Sequence, residues 1–214
     1  MANAILRASV RFSVWGLKKV GRFVLFESPN IILATVILYV GWSLYERHME
    51  AVRFHKAERH CLALNVYWES HNESVLAQIY VALTTRERVR NRRYGSTYCE
   101  VVYQAKQFSW TNGSAVSRTP ALKVHWKRAK RIASDVYAGN HDFPKSWGCR
   151  PMFYKRADDR WTSKRGRGFF YSRIRAGKMK QVGQEGAHAF YCLTSRMRQK
   201  AQITVRPLLR RGRR

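Results

Sequence analysis

Acid chemistry has few carriers in this sequence. Only nine carboxylates lie beyond residue 60: Glu69, Glu73, Glu87, Glu100, Asp135, Asp142, Asp158, Asp159 and Glu185. Two of them stand four residues apart in the segment Cys61-Leu-Ala-Leu-Asn-Val-Tyr67-Trp-Glu69-Ser-His-Asn-Glu73. Glu69 follows the aromatic pair Tyr67-Trp68, and a carboxyl beside aromatic walls is easily desolvated, which keeps it protonated for donation to a leaving group. Glu73 falls where a new helix is expected to begin, and a helix N-terminus favours the ionised carboxylate. Neighbouring acids pushed toward opposite protonation states are the pattern from which acid and base roles are assigned. The plain alternative is a pair of surface glutamates on two helices.

The elements that must position these residues can be read from periodicity. His60 to Trp68 carries Leu62 and Val66 at helical spacing. Asn72 is expected to stop that helix in the left-handed region, and Ser74 to open the next, with Val75, Ile79, Ala82 and Leu83 on one face. Thr119-Pro120 reads as an N-cap and first helical residue, and Leu122, Trp126, Ala129, Ala133 and Val136 continue one apolar face until Gly139. Phe108-Ser109-Trp110 before Asn112-Gly113 reads as a strand entering a tight turn, with Trp110 either packed inward or stacked on a ligand. Met152 to Tyr154 and Ala187 to Cys192 are short strands. Lys164 to Gly168 and Arg173 to Lys180 read as a basic surface loop, and Arg206 to Arg214 as a cationic tail. The expected class is α+β, mainly helical with a small sheet.

The chain holds 41 Lys and Arg against 13 Asp and Glu, a net charge of +28, so a polyanion is an expected partner: nucleic acid, anionic lipid or a bacterial wall polymer. From Ser28 to Tyr45 there is no charged residue, and eighteen helical residues would span roughly 27 Å, so an uncleaved transmembrane signal-anchor is expected there. A basic amphipathic segment precedes it, with Arg7, Arg11, Lys18 and Arg22 on one side. Charge favours a cytoplasmic N-terminus, which would place the rest outside the cytoplasm at the inner membrane. Cys61, Cys99, Cys149 and Cys192 form no C-x-x-C pair and no zinc spacing, so no metal or other cofactor is expected. In an exported domain they permit one or two disulfides, with three connectivities if all four are used; in the cytosol they would be thiols.

Several of these segments, taken together and in order, resemble the SleB-type cell-wall hydrolases. The segment ending at Glu73 is similar to that family's opening motif, roughly Y-x-E-A-R-G-E. Gln78-Ile-Tyr-Val-Ala, Arg88-Val89, Thr97-Tyr-Cys99-Glu-Val-Val-Tyr103-Gln104, Gln107-Phe108-Ser109-Trp110-Thr-Asn-Gly113 and Gly186-Ala-His188-Ala-Phe-Tyr191 follow in the family's order. The resemblance covers about residues 58 to 192 and implies a lysozyme- or transglycosylase-like domain. The bond cut would be that between N-acetylmuramic acid and N-acetylglucosamine in peptidoglycan. It implies Glu69 as catalytic acid, with Glu73 organising the site, Gln104, Ser109 and Tyr191 as sugar contacts, and Tyr67, Phe108 and Trp110 as further site residues. A lytic transglycosylase needs one acid/base, because the sugar's own 6-hydroxyl attacks, whereas a two-carboxylate glycosidase needs acids on both sides of the bond. Two departures stand out: His71-Asn72 replaces Arg-Gly, and Glu87 replaces an Asn before Arg-Val.

The expected organisation is therefore a basic segment 1–27, an anchor 28–45, a linker 46–57, a catalytic domain 58–195 and a basic tail 196–214. Its expected partners are peptidoglycan, the bacterial inner membrane and anionic envelope polymers. A tethered wall-cutting enzyme of this charge would suit host lysis by a bacteriophage. A membrane-anchored nucleic-acid-binding protein accounts for the charge but leaves the Glu69 segment unexplained, and an inactive wall-binding relative accounts for the motifs without the chemistry.

Overall fold

The computed structural model describes residues 29–105, 107–112, 118–157 and 169–194. The expected N-terminal segment, the 164–168 loop, the cationic tail, Gly113, Asp158 and Asp159 lie outside the described residues. Two compact units divide the chain, 1–54 and 55–214. In the first, the described residues belong to helix α1, Pro29–Ser70, which continues into the second. Ile31, Leu33, Val36, Ile37, Leu38 and Trp42 are all exposed on it.

No helix among the described residues is long and apolar enough to cross a membrane, which corrects the expected transmembrane helix. The reason lies in the sequence. The aliphatic run Ile31–Val40 is bounded by Pro29-Asn30, diluted by Gly41 and Ser43, and followed at once by Glu46-Arg47, whereas a span needs about twenty predominantly apolar residues. Residues 46–57, expected as a linker, are helical throughout.

The second unit is built on the end of α1. Leu62 and Val66, one helical turn apart, are fully buried and meet α2 (Val75–Asn91) through Leu83 and Ala82. Helix α4 (Lys123–Ala138) adds Ala129, Ile132, Ala133 and Val136, spaced i, i+3, i+4, i+7 on one face, to the same core. Gly139 ends α4 in the left-handed region at φ 87°, as its type predicts. The helix begins three residues later than Pro120 suggested. Leu122 is held extended, its N–H donating to the Tyr67 hydroxyl at 3.2 Å, so a tertiary hydrogen bond overrides the local start signal.

A short helix α3 (Tyr98–Tyr103) follows α2, capped by the Thr97 side chain and by the buried Glu58 carboxylate, which accepts the N–H groups of Tyr98 and Cys99. Ser109–Asn112 forms a 3-10 turn, not the expected strand. The sheet has three antiparallel strands in the order β1-β3-β2: β1 Phe153–Arg156, β2 Met179–Glu185 and β3 His188–Leu193. Helix α5 (Phe169–Arg175) precedes β2. Strand β2 replaces part of the expected basic loop. Its sequence Met-Lys-Gln-Val-Gly-Gln-Glu carries little apolar alternation because only Met179 of it is fully buried. Central β3 is buried along nearly its whole length, and its Phe190 is fully enclosed by Tyr80, Trp147 and Tyr154.

Asn72 does not take the left-handed conformation; among the described non-glycine residues only Arg92 does. Instead α1 ends with the His71 N–H and ring Nδ1 both against the Tyr67 carbonyl, and Glu73 N–H bonding Ser70 O. Ser74 is the N-cap of α2 as expected: its Oγ accepts from Ala77 N–H at 3.1 Å and donates to Glu185 at 2.9 Å. Ser74→Ala removes both bonds, and chemical denaturation is expected to show a loss of about 1 kcal/mol.

Two disulfides close the structure, Cys61–Cys99 from α1 to α3 and Cys149–Cys192 from the loop before β1 to β3. Of the three connectivities left open by the sequence, this is the one formed.

Candidate active site

Glu69 sits near the end of α1, two helical turns after Cys61, where the helix passes beside β1. The Tyr154 hydroxyl of β1 donates to its Oε2 at 3.2 Å. Burial pushes the Glu69 carboxyl above the ordinary carboxylate range; the Tyr154 hydrogen bond and the Arg88 charge pull in the opposite direction without overcoming it. No other carboxylate is among the described groups acting on it. A carboxyl in this state holds a proton at pH values where an exposed glutamate has lost it, which suits a general acid.

Three neighbours complete the surroundings. Arg88, on α2, is buried, donates to Met152 O at 2.8 Å, and lies over the Phe108 ring at 5.1 Å and the Tyr94 and Phe153 rings at 5.8 Å. An arginine so enclosed keeps its charge, and its cation–π contacts offset part of the lost hydration. Asn65, fully buried one turn before Glu69, donates to Thr85 and accepts from the Trp110 indole N–H. Tyr154 is so enclosed that burial, with the Glu69 carboxyl beside it, raises its own pKa well above the ordinary phenol value, so it is a hydrogen-bond donor and not a phenolate.

The other expected site residues are distributed more widely. Tyr67 is a core residue: its ring packs edge-on against Trp68 and Trp126, and its hydroxyl is used by Leu122. Glu73 serves the β2–β3 turn, accepting Ala187 N–H on Oε2 at 3.0 Å. That turn requires glycine at 186, since φ is +55° and a Cβ there would overlap the same Oε2. Phe108 is buried beneath Arg88, and Trp110 is buried against Trp68, its indole N–H directed to Asn65, so Trp110 packs inward. Ser109 is exposed on the 3-10 turn. Gln104 caps the end of α3, its Oε1 buried with no partner among the described residues. Tyr191 lies across the sheet from Tyr154. Strand register pairs Phe153 with Tyr191 and Tyr154 with Phe190, so the two tyrosines project from opposite faces. Tyr191 lines a cavity of about 440 Å³ with Tyr171, Ile174, Gln181 and Gln184.

Asn65, Arg88 and Tyr154 are the neighbours of Glu69 that sequence reasoning did not assign. Arg88 stood inside a matched motif and Tyr154 inside an expected strand, so both were visible as positions but not as parts of the site. Among the described residues, no three His, Cys, Asp or Glu side chains come together as a metal site.

Residues 72–191, more than half of the chain, match the family model of the cell wall hydrolases. The chain belongs to that family. Glu69 stands three residues ahead of the matched span, and its partners Arg88 and Tyr154 stand inside it. This cell wall hydrolase is also similar to the solved catalytic domain of the Bacillus cereus SleB protein. The two share 22% identity over 63% of this chain and 89% of that one, with a TM-score of 0.45. No curated protein matches it.

Proposed function

We propose that this cell wall hydrolase cuts peptidoglycan glycan strands between N-acetylmuramic acid and N-acetylglucosamine as a lytic transglycosylase, with Glu69 as its single acid/base. The observation that carries the reading is the carboxyl of Glu69: desolvated, hydrogen-bonded by Tyr154, and without a carboxylate among the described groups acting on it. Protonated Glu69 gives its proton to the glycosidic oxygen as the C1–O bond breaks. The resulting carboxylate then takes the proton of the muramic acid 6-hydroxyl as that oxygen bonds C1. The product carries a 1,6-anhydro end, no water is consumed, and Glu69 returns protonated. Glu73 is committed to the Ala187 N–H and supports the single-acid assignment by being otherwise employed.

Incubating the protein with purified peptidoglycan and identifying the released muropeptides by mass spectrometry tests the reading. Anhydro-muropeptides are the expected product. Reducing ends would replace the transglycosylase by a muramidase or glucosaminidase, and an absence of products from folded protein would overturn peptidoglycan cleavage altogether.

We place the enzyme outside the cytoplasm and at the inner membrane. Two disulfides support the first part, and the exposed apolar side chains between Ile31 and Tyr45 support association with lipid. Anionic envelope polymers are further proposed partners, supported by exposed Lys123, Lys127, Lys130 and Arg131 on α4. The setting that suits this combination is host lysis by a bacteriophage; lysis of a bacterium on induced expression is the expected result, and harmless export would count against it.

A further inference from the structure

The cavity of about 440 Å³ lies on the sheet face turned away from Tyr154, and the chemistry of Glu69 does not use it. Ala189 and Tyr191 of β3 form its floor; Gln181 and Gln184 of β2 and Tyr171 and Arg175 of α5 form its walls. Ala189 and Tyr191 are two residues apart, so they share a face. Their partners Gln184 and Gln181 are three apart, and in a regular strand such a pair projects from opposite faces. A β-bulge between Gln181 and Gly183 restores the parity. Val182 is passed over in the register, Gly183 pairs with Phe190, and Gln184 pairs with Ala189. Gly183 agrees with this, because a Cβ on it would overlap the Trp147 ring, which packs with Phe190 on the other face. The extra residue in β2 thus turns a second carboxamide toward the cavity.

The cavity is rich in donors. Tyr191 donates its hydroxyl hydrogen to Gln181 Oε1 at 3.4 Å, which leaves the amide N–H groups as the end of Gln181 open to a guest. Arg175 adds a guanidinium, a donor-only fork whose geometry matches a carboxylate. No described residue lining the cavity carries a carboxylate that would compete for these donors. The volume falls within the range of small-ligand sites, about 300–1,000 Å³, which suits a short peptide and not a polymer strand.

We propose that this cavity binds the carboxylate end of a short peptide, with Arg175 and Gln181 donating to the carboxylate and Gln184 pairing with the amide before it. The proposal rests on peptidoglycan being the polymer acted on, and deepens that reading, since the stem peptides of the same polymer supply such an end. The sheet separates the cavity from the face that carries Tyr154, so the site holds the enzyme to the wall and takes no part in bond cleavage.

The experiment titrates the 15N-labelled full chain with N-acetyl-D-alanyl-D-alanine, with the C-terminal amide of the same dipeptide, and with N-acetylglucosamine oligomers. The free acid is expected to shift the backbone resonances of Gln181, Gln184 and Ala189. The amide form is expected to bind about tenfold more weakly, because hydrogen bonds to a charged acceptor account for a difference of that size. Arg175→Ala is expected to weaken binding of the free acid about tenfold. Gln184→Glu, at an exposed position that the fold tolerates, is expected to abolish it by placing a like charge beside the carboxylate. Glu69→Gln is expected to bind as the unmutated protein does. Equal affinity for acid and amide, or unaltered binding in folded Gln184→Glu, overturns the site. So does a response of the same resonances to the sugar oligomers and not to the dipeptide, which would make the cavity a glycan site. Dipeptide binding by a protein that releases no muropeptides would sink the proposed function and support the site by itself; release without dipeptide binding would do the reverse.

Discussion

Glu69→Gln is expected to reduce peptidoglycan cleavage by about 10³-fold or more, equivalent to about 4 kcal/mol of transition-state stabilisation. Gln fills the same space and can still accept the Tyr154 hydrogen bond, but its amide has no proton to give at any working pH. The same substitution has an opposite effect on stability. Burial raises the folded-state pKa of Glu69 above its unfolded value. The folded state therefore holds the proton more tightly, and the stability contributed is fully present below the ordinary glutamate pKa and lost as pH rises through the folded value. Gln carries no such loss. The variant is expected to unfold at the same or a higher temperature than the unmutated protein at neutral pH, and to be less sensitive to pH between the two values. Cleavage, which needs the protonated acid, is expected to fall on the alkaline side with a midpoint above the usual carboxylate range. Paired thermal melts and rate measurements across pH check both. An inactive variant that also melts early would mean that Glu69 had been holding the fold, and a fully active one would remove it from the chemistry.

Reduction of the disulfides is the second large effect. The bridged cysteines are 38 and 43 residues apart, and closing loops of that size in the unfolded chain corresponds to about 4 kcal/mol each on the chain-entropy account. Against a typical total of about 5–15 kcal/mol, loss of both leaves little. Cys61–Cys99 also anchors the helix that carries Glu69, and Cys149–Cys192 ties β3 to the approach to β1 and its Tyr154. Guanidinium titrations with and without reductant are expected to show a large drop in midpoint, and cleavage is expected to disappear together with the fold. A midpoint indifferent to reductant would show that the core alone suffices and would remove the main support for an extracytoplasmic site of action.

How far the sequence led can be traced through individual residues. Glu69 was singled out as the expected acid by the family resemblance, because scarce acids and two preceding aromatic residues fit a surface glutamate as well. The apolar stripe of its helix, by contrast, is a local fact. The helix face ending at Gly139 and the cap at Ser74 were legible for the same reason. Strand β2 was not, because an edge strand with few buried side chains reads as polar loop. Tyr154 and Arg88 come from elements 85 and 19 residues beyond Glu69, and only strand pairing and helix packing show that they converge on it. Trp110 was undecided between core and ligand because an indole serves both; its N–H direction toward Asn65 decides it. The transmembrane expectation followed the absence of charge from Ser28 to Tyr45, whereas crossing depends on sustained apolarity, which Pro29, Asn30, Gly41 and Ser43 interrupt.

The order β1-β3-β2 bears on when the enzyme can first act. Strand β1, which carries Tyr154, has β3 as its sheet partner, and β3 is residues 188–193. A ribosome that has delivered Glu69, Asn65 and Arg88 has not yet delivered the strand against which Tyr154 is aligned. Synthesis from the N-terminus therefore yields Glu69 long before the Tyr154 hydroxyl that hydrogen-bonds it is held in place by the sheet. On the proposed mechanism, a nascent chain stopped short of residue 188 would carry Glu69 without the strand that pairs with the one bearing Tyr154.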